Sequence, residues 1–318
     1  MLDGRTALEF LSSKAGELKL QDESVLLTME LILSNFAGIS RDDATLDRLA
    51  KGYTDFGLAL FGLPLALPGS ALARARAFNA EMHRTLAEVV EKRRSEPTGD
   101  GVSRLAASEV DGERLATGDI VLEAQHMIFA ATGLWGWFCH GARALADDPA
   151  LAESLRAEAK KLPEDPDGRA LLECAPLVNF VREVKRVGMI IPITALGVAK
   201  RDFAVAGHRV PKGWLVLWTT YASHTVPGVA PYEHPERFDP TRLTRGEGEG
   251  TNHFAPQGPG EALTSHRCAG VEYSTLALLA FFTELLRAPV MTVLPQDLAM
   301  DLSRFPAAYK SGLRVRFG

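Results

Sequence analysis

Apolar residues recur along this chain mostly at helical spacing. Between Asp22 and Ala37 they stand at Val25, Leu26, Met29, Leu31, Ile32 and Leu33, and Gly38 follows where a helix can close in the left-handed conformation. A second helix with polar spacing runs from about Ala71 to Arg94 and is broken by Pro97-Thr98-Gly99-Asp100-Gly101. Asp119 to Ala146 reads as the longest helix of the chain, stopped by Asp148-Pro149. Pro176 to Val187 and Ala269 to Arg287 read as two more helices, and Val205 to Gly213 has the turn chemistry of a short hairpin. The pattern predicts a mainly α fold with small β-sheets. No repeat, low-complexity tract or linker divides residues 1–318, so a single domain is expected.

Composition narrows the functional classes. A chain of 318 residues with 46% apolar content is long enough to bury a large core. Its net charge of −5, with no clustered basic face, gives no footprint for nucleic acid. Cys139, Cys174 and Cys268 are too few and too scattered for a disulfide framework or a zinc site, which fits a reducing cytoplasm. No segment reaches the apolar length of a membrane span, and Met1-Leu2-Asp3-Gly4-Arg5 does not open a signal peptide. A soluble cytoplasmic protein is therefore expected.

The chemistry concentrates late in the chain. His253-Phe254-Ala255-Pro256-Gln257-Gly258-Pro259-Gly260 leads through Ser265-His266-Arg267-Cys268-Ala269-Gly270 into the last helix. A cysteine at the mouth of a helix sits where first-turn N–H groups and the helix dipole favour negative charge, so its sulfur can serve as a soft iron ligand. Taken alone, a cysteine such as Cys268 is more often just a small buried hydrophobe. Upstream, Glu183-Val184-Lys185-Arg186 places a carboxylate and a guanidinium on one helix face, and Pro235-Glu236-Arg237-Phe238 supplies a second arginine. A carboxylate bracketed by two bidentate donors makes a stiff cluster able to pin a loop. An isolated E-x-x-R is only an exposed helix pair, but here the Cys loop follows it in order.

In these residues the chain resembles the cytochrome P450 superfamily: Glu183, Arg186 and Arg237 match its Glu-Arg-Arg triad, and Cys268 matches its axial haem ligand. The loop Pro256 to Gly260, the tail Pro295-Gln296-Asp297-Leu298 through Pro306, and Ala199-Lys200-Arg201-Asp202-Phe203 are similar to the bacterial fatty-acid peroxygenase branch. The resemblance covers about residues 100 to 318 and implies a P450-like fold with thiolate-ligated haem b. It implies Cys268 as the metal ligand, Phe254 and Gly270 as cofactor-facing residues of the loop, and His266 as a haem-propionate donor. It also implies that the family's N-terminal strands and first helices are absent before Leu20.

The expected helix from Asp119 departs from the family. Ordinary P450s place an acid-alcohol pair at its centre to deliver protons for dioxygen chemistry, whereas this chain reads Phe129-Ala130-Ala131-Thr132-Gly133-Leu134-Trp135. Gly133 and Leu134 fall near the pair's positions, with Thr132 one residue early. The peroxygenase branch carries an Arg-Pro pair here that holds the substrate carboxylate, and Phe129-Ala130 replaces it. His126, four residues before Ala130, is the candidate proton donor in its place, with Thr132 beside it. Small Ala130 and Ala131 fit a helix passing close over a flat macrocycle.

The expected function is haem-thiolate oxidation of an apolar or amphipathic organic substrate with hydrogen peroxide. A conventional monooxygenase fed by a redox partner and dioxygen is the alternative within enzymes. A haem-poor P450-like scaffold or interaction protein is the alternative outside them.

Overall fold

The computed structural model describes residues 16–39, 46–60, 65–188, 190–246, 254–261, 264–265, 267–301 and 306–318. They form two compact units, Met1–Cys139 with Glu284–Gly318, and His140–Thr283.

Local sequence chemistry sets the helix ends in the first unit. Helix α1 (Leu20–Ala37) closes on Gly38, whose φ of 65° lets its N–H reach back to Ser34 O at 3.1 Å. Helix α2 spans Leu46–Leu60, and helix α3 (Ala71–Ser95) is N-capped by Ser70 Oγ, which accepts from Ala73 N–H at 3.2 Å. Asp100 caps helix α4 (Gly101–Ala107) through Ser103 N–H at 2.7 Å and pairs with Arg93 Nε at 2.5 Å. Helix α5 covers Thr117–Ala131. The buried faces of these helices meet in one core that includes Ile32, Leu33, Phe78, Met82, Leu86, Val90, Ile120 and Ile128. Gly52 lies so close to the Phe78 ring that a Cβ there would collide with it, which couples α2 to α3. A three-stranded antiparallel sheet, in the order Glu17–Lys19, Arg314–Phe317, Met291–Val293, ties the start of α1 to the C-terminal tail, with Leu18 paired to Val315.

The apolar run from Asp119 to Ala146 does not make one helix. Helix α5 stops at Ala131 and helix α6 runs over Leu134–Asp147, so that α3, at 25 residues, is the longest helix among the described residues. Thr132 and Gly133 cause the break. The Thr132 hydroxyl donates to the Phe129 carbonyl at 2.7 Å, and Gly133, a weak helix former, gives its carbonyl to Gly136 N–H at 3.0 Å.

In the second unit, Asp148 caps helix α7 (Pro149–Ala159), which opens on its proline. Helix α8 (Gly168–Glu173) is capped by Asp167. Helix α9 (Ala175–Val187) carries the E-x-x-R residues and buries Leu177, Phe180, Val181 and Val184. The expected hairpin is present: Phe203–Val205 pairs with His208–Val210, and Ala206 and Gly207 both take positive φ, 47° and 81°, in the turn. Helix α10 (Thr220–Thr225) and helix α11 (Val271–Arg287) complete the frame. Gly141 of α6 admits the Phe282 ring of α11 against its backbone, and Phe282 meets Phe180 of α9 edge-on at 5.0 Å.

Candidate functional site

Two residues three apart on α9 start the site. Glu183 and Arg186 face each other on one side of the helix, and the guanidinium grips the carboxylate through Nε to Oε2 at 2.8 Å and Nη2 to Oε1 at 2.7 Å. Each side chain is 1% exposed. The second arginine on Glu183 is Arg242, not the expected Arg237. Arg242 stands on the 3-10 turn Pro240–Arg245 with its side chain 2% exposed, and its Nε lies 3.3 Å from Glu183 Oε1. The Arg237 side chain points into solvent, 70% exposed, with Glu236 at 3.9 Å. Arg237 contributes its backbone instead: its carbonyl accepts from Arg186 Nη2 at 2.9 Å and Arg242 Nη2 at 3.1 Å. The left-handed His234 (φ 46°) turns the chain so that successive carbonyls face inward, Pro235 O toward Arg186 at 2.7 Å and His234 O toward Arg242 at 2.6 Å. Asp239 N–H adds a fourth donor to the Glu183 carboxylate, meeting Oε1 at 2.8 Å. Every strong donor in this buried cluster thus has an oxygen, the condition under which buried charge is tolerated.

The cluster connects to the Cys loop through His224, which motif reading did not flag. Its backbone carbonyl accepts from Arg186 Nη1. Its ring, 0% exposed, gives Nδ1–H to Thr220 O at 2.8 Å and uses Nε2 to accept from Ala255 N–H at 2.9 Å. Those two bonds fix the tautomer. Phe254 packs edge-on against the same ring at 6.5 Å and lies under the Arg182 guanidinium at 5.2 Å.

Beyond Ala255 the loop bends on Gly258 and Gly260, both at positive φ (93° and 83°), and Gln257 O accepts from Cys268 N–H at 2.8 Å. Cys268 is exposed, three residues before the start of α11, and Gly270 N–H points at its sulfur from 3.3 Å. A side chain at Gly270 would begin 3.5 Å from that sulfur. Beneath the loop lies Lys185, also absent from the sequence expectations, whose Nζ bonds Gln257 Oε1 and Thr275 Oγ1 at 2.8 Å and Ser274 Oγ at 2.9 Å. Burial drives its pKa down to about 7, against the opposing pull of Cys268. The other thiols differ in kind: Cys139 is buried beside Ser24, where burial pushes it up to about 12, and Cys174 occupies the N-cap position of α9 without a side-chain cap bond. His266 lies outside the described residues.

In the first unit, the face of α5 opposite its core carries Leu122, Glu123, His126 and Ala130, all exposed. His126 and Ala130 share that face as their spacing predicts. The imidazole is 75% exposed, with Glu123 3.8 Å away. Ala131 is half-buried, and Thr132 lines a cavity of about 440 Å³ together with Met29, Ala50, Tyr53, Phe129 and Trp135. No helix among the described residues is long and apolar enough to cross a membrane.

A helix-rich fold with small antiparallel sheets, an accessible thiol in a glycine-bent loop and a buried carboxylate gripped by two arginines define the haem-thiolate class. The cytochrome P450 family model matches residues 49–300, and the chain belongs to that family. Among curated relatives, protopanaxadiol 6-hydroxylase of Panax ginseng is 27% identical over 285 residues, covering 85% of this chain and 58% of its own length. Ent-kaurenoic acid oxidase 1 of Arabidopsis thaliana is 27% identical over 290 residues, covering 85% and 56%. The chain therefore spans little more than half the length of these relatives. Of solved structures, retinoic acid-bound cyanobacterial CYP120A1 superposes with a TM-score of 0.86 at 24% identity, covering 99% of this chain and 72% of that one. P450EX alpha (CYP152N1) with myristic acid superposes at 0.76 and 23%, covering 98% and 71%. The family implies a thiolate-ligated haem iron as cofactor. The residues present suit it: Cys268 offers a soft, accessible sulfur with an amide aimed at it, on a loop held from below by buried bonds.

Proposed function

We propose that this chain is the haem-binding part of an oxidoreductase in which Cys268 is the axial ligand and hydrogen peroxide oxidises an apolar or amphipathic organic substrate. The observation that carries the reading is Cys268 itself, the exposed thiol of a loop tied by His224 to a buried ionic cluster and by Gln257 to the buried Lys185. When bound, the haem supplies the redox chemistry, and a thiolate ligand raises electron density on iron to favour O–O cleavage. In the overall balance R–H and H₂O₂ give R–OH and H₂O, so no external reductant is consumed.

The chain's own residues then have separate tasks. Phe254 and Gly270 would shape the loop around the sulfur, His266 would be the donor to a propionate, and the small Ala130 and Ala131 would leave room for the macrocycle. The cavity beside Thr132, at about 440 Å³ within the usual range of roughly 300–1,000 Å³ for small-molecule sites, takes the substrate. His126 moves the proton for peroxide. Peroxide is favoured over dioxygen because the acid-alcohol register falls on Gly133-Leu134 and the nearby Thr132 hydroxyl is engaged by Phe129 O at 2.7 Å.

The purified protein, reduced and exposed to carbon monoxide, should show a thiolate-type Soret shift that Cys268→Ser abolishes and Cys139→Ala retains. A panel of acids and matched non-acids should turn over faster with peroxide than with a surrogate reductase and dioxygen. The second reading, a conventional monooxygenase, draws on the plant hydroxylase and oxidase relatives. Efficient reductase-driven turnover with little peroxide activity would promote it. Purification without haem would leave the scaffold reading.

A further inference from the structure

Lys185 sits between Glu183 and Arg186 in sequence but belongs to neither side of their cluster. It is 3% exposed, and its ammonium is directed at the Cys loop and the first turns of α11. Three protons meet three short acceptors, Gln257 Oε1 and Thr275 Oγ1 at 2.8 Å and Ser274 Oγ at 2.9 Å, with the Val271 carbonyl at 3.3 Å sharing one. Gln257 is the relay. Its side-chain oxygen accepts from Lys185, its Nε2 donates to Ser274 Oγ at 3.2 Å, and its backbone carbonyl accepts from Cys268 N–H at 2.8 Å. A side chain buried from α9 therefore reaches the sulfur-bearing residue through one intervening amino acid.

The choice of residue is informative. Methionine or leucine would fill the same space without desolvating a charge, whereas a buried ammonium is costly unless its protons are used. Here they are used, on groups that bracket the sulfur from both ends of the loop.

We propose that Lys185 is a positioning residue for the thiolate ligand, holding Cys268 in place through Gln257 and placing a positive charge behind the sulfur. The role rests on the reading of Cys268 as the axial ligand. It adds a determinant that the Glu-Arg-Arg pattern does not contain.

The test compares the haem-loaded protein with its Lys185→Met, Lys185→Arg and Gln257→Leu variants by amide hydrogen exchange at Cys268 and by the reduction potential of the iron. Lys185→Met should speed exchange at Cys268 at least tenfold and lower the potential, because a positive charge that favours the reduced state is gone. Lys185→Arg, which keeps the charge, should hold the potential near that of the parent. Unchanged exchange in Lys185→Met, or a potential lowered alike by Met and Arg, overturns the proposal. Should Lys185→Met not fold, Gln257→Leu cuts the relay with the lysine in place: tenfold faster exchange at Cys268 supports the proposal and unchanged exchange overturns it. Failure of the axial reading looks different, since a Cys268→Ser protein would then keep its thiolate-type spectrum whatever the exchange rates.

Discussion

The support of the Cys loop in the second unit and helix α5 in the first treat their polar side chains in opposite ways. Under the loop, Glu183, Lys185, Arg186, His224 and Arg242 are all buried, and each makes several bonds to backbone or side-chain partners. On α5, Glu123 and His126 stand on an exposed face, 3.8 Å apart. The first arrangement is fixed by geometry, because a buried ion tolerates no missing partner. The second leaves the His126 imidazole open to solvent, where it contributes little to folding. One set of charges is buried and paired, and the other is left exposed.

Breaking the buried side should cost most. Glu183→Ala strands two guanidiniums and should destabilise the fold by ~3–5 kcal/mol, read by urea unfolding or, if the variant is too weak, by loss of soluble yield. Arg242→Ala should come close to it, while Arg237→Ala should stay within about 0.5 kcal/mol of the parent, as exposed substitutions do. Equal losses for the two arginines would erase the distinction drawn here. Next in size, His224→Phe leaves Ala255 N–H buried without its acceptor and should cost roughly 1–3 kcal/mol in the same assay.

A pH experiment sharpens the same contrast. His140, on α6, has its pKa lowered to about 4, first by burial and then by Arg143, whereas an unfolded histidine titrates near 6.5. The unfolded state binds the extra proton between those values, so the stability His140 contributes is complete above pH 6.5 and is lost as pH falls to about 4. Melting curves across that window should show a shallower decline in His140→Phe than in the parent. The exposed side should give the smallest change in stability: His126→Ala should unfold within about 0.5 kcal/mol of the parent. Its effect belongs in peroxide turnover, where loss of a general acid-base costs roughly 10²-fold or more. A stable His126→Ala protein with unaltered peroxide turnover would remove that residue from the chemistry.

The same contrast explains what could be read from the chain. Glu183 and Arg186 were legible because three-residue spacing on a helix forces them together, and the loop around Cys268 because its glycines announce left-handed turns. Arg242 was not, since Arg237 sits in the more conspicuous Pro-Glu-Arg-Phe segment. Only the left-handed backbone at His234 reveals that this segment offers carbonyls inward and sends its own guanidinium out. Lys185 and Gln257 bond across 72 residues, and His224 and Ala255 across 31, distances at which no local pattern carries information. The break at Thr132-Gly133 escaped because apolar periodicity continues on both sides of it. The short hairpin at Ala206-Gly207 was visible for the opposite reason, since its turn is determined by two adjacent residues.

The bond from Arg242 to Glu183 also sets a schedule for biosynthesis. The carboxylate emerges 59 residues ahead of its second guanidinium, and at typical elongation rates of about 5–20 residues per second it waits roughly 3–12 s before that partner has been made. Through that interval the nascent α9 exposes an ion and the apolar stripe of Phe180, Val181 and Val184 beside it. The second unit thus completes its buried centre only after Arg242 has been made, however early α9 forms.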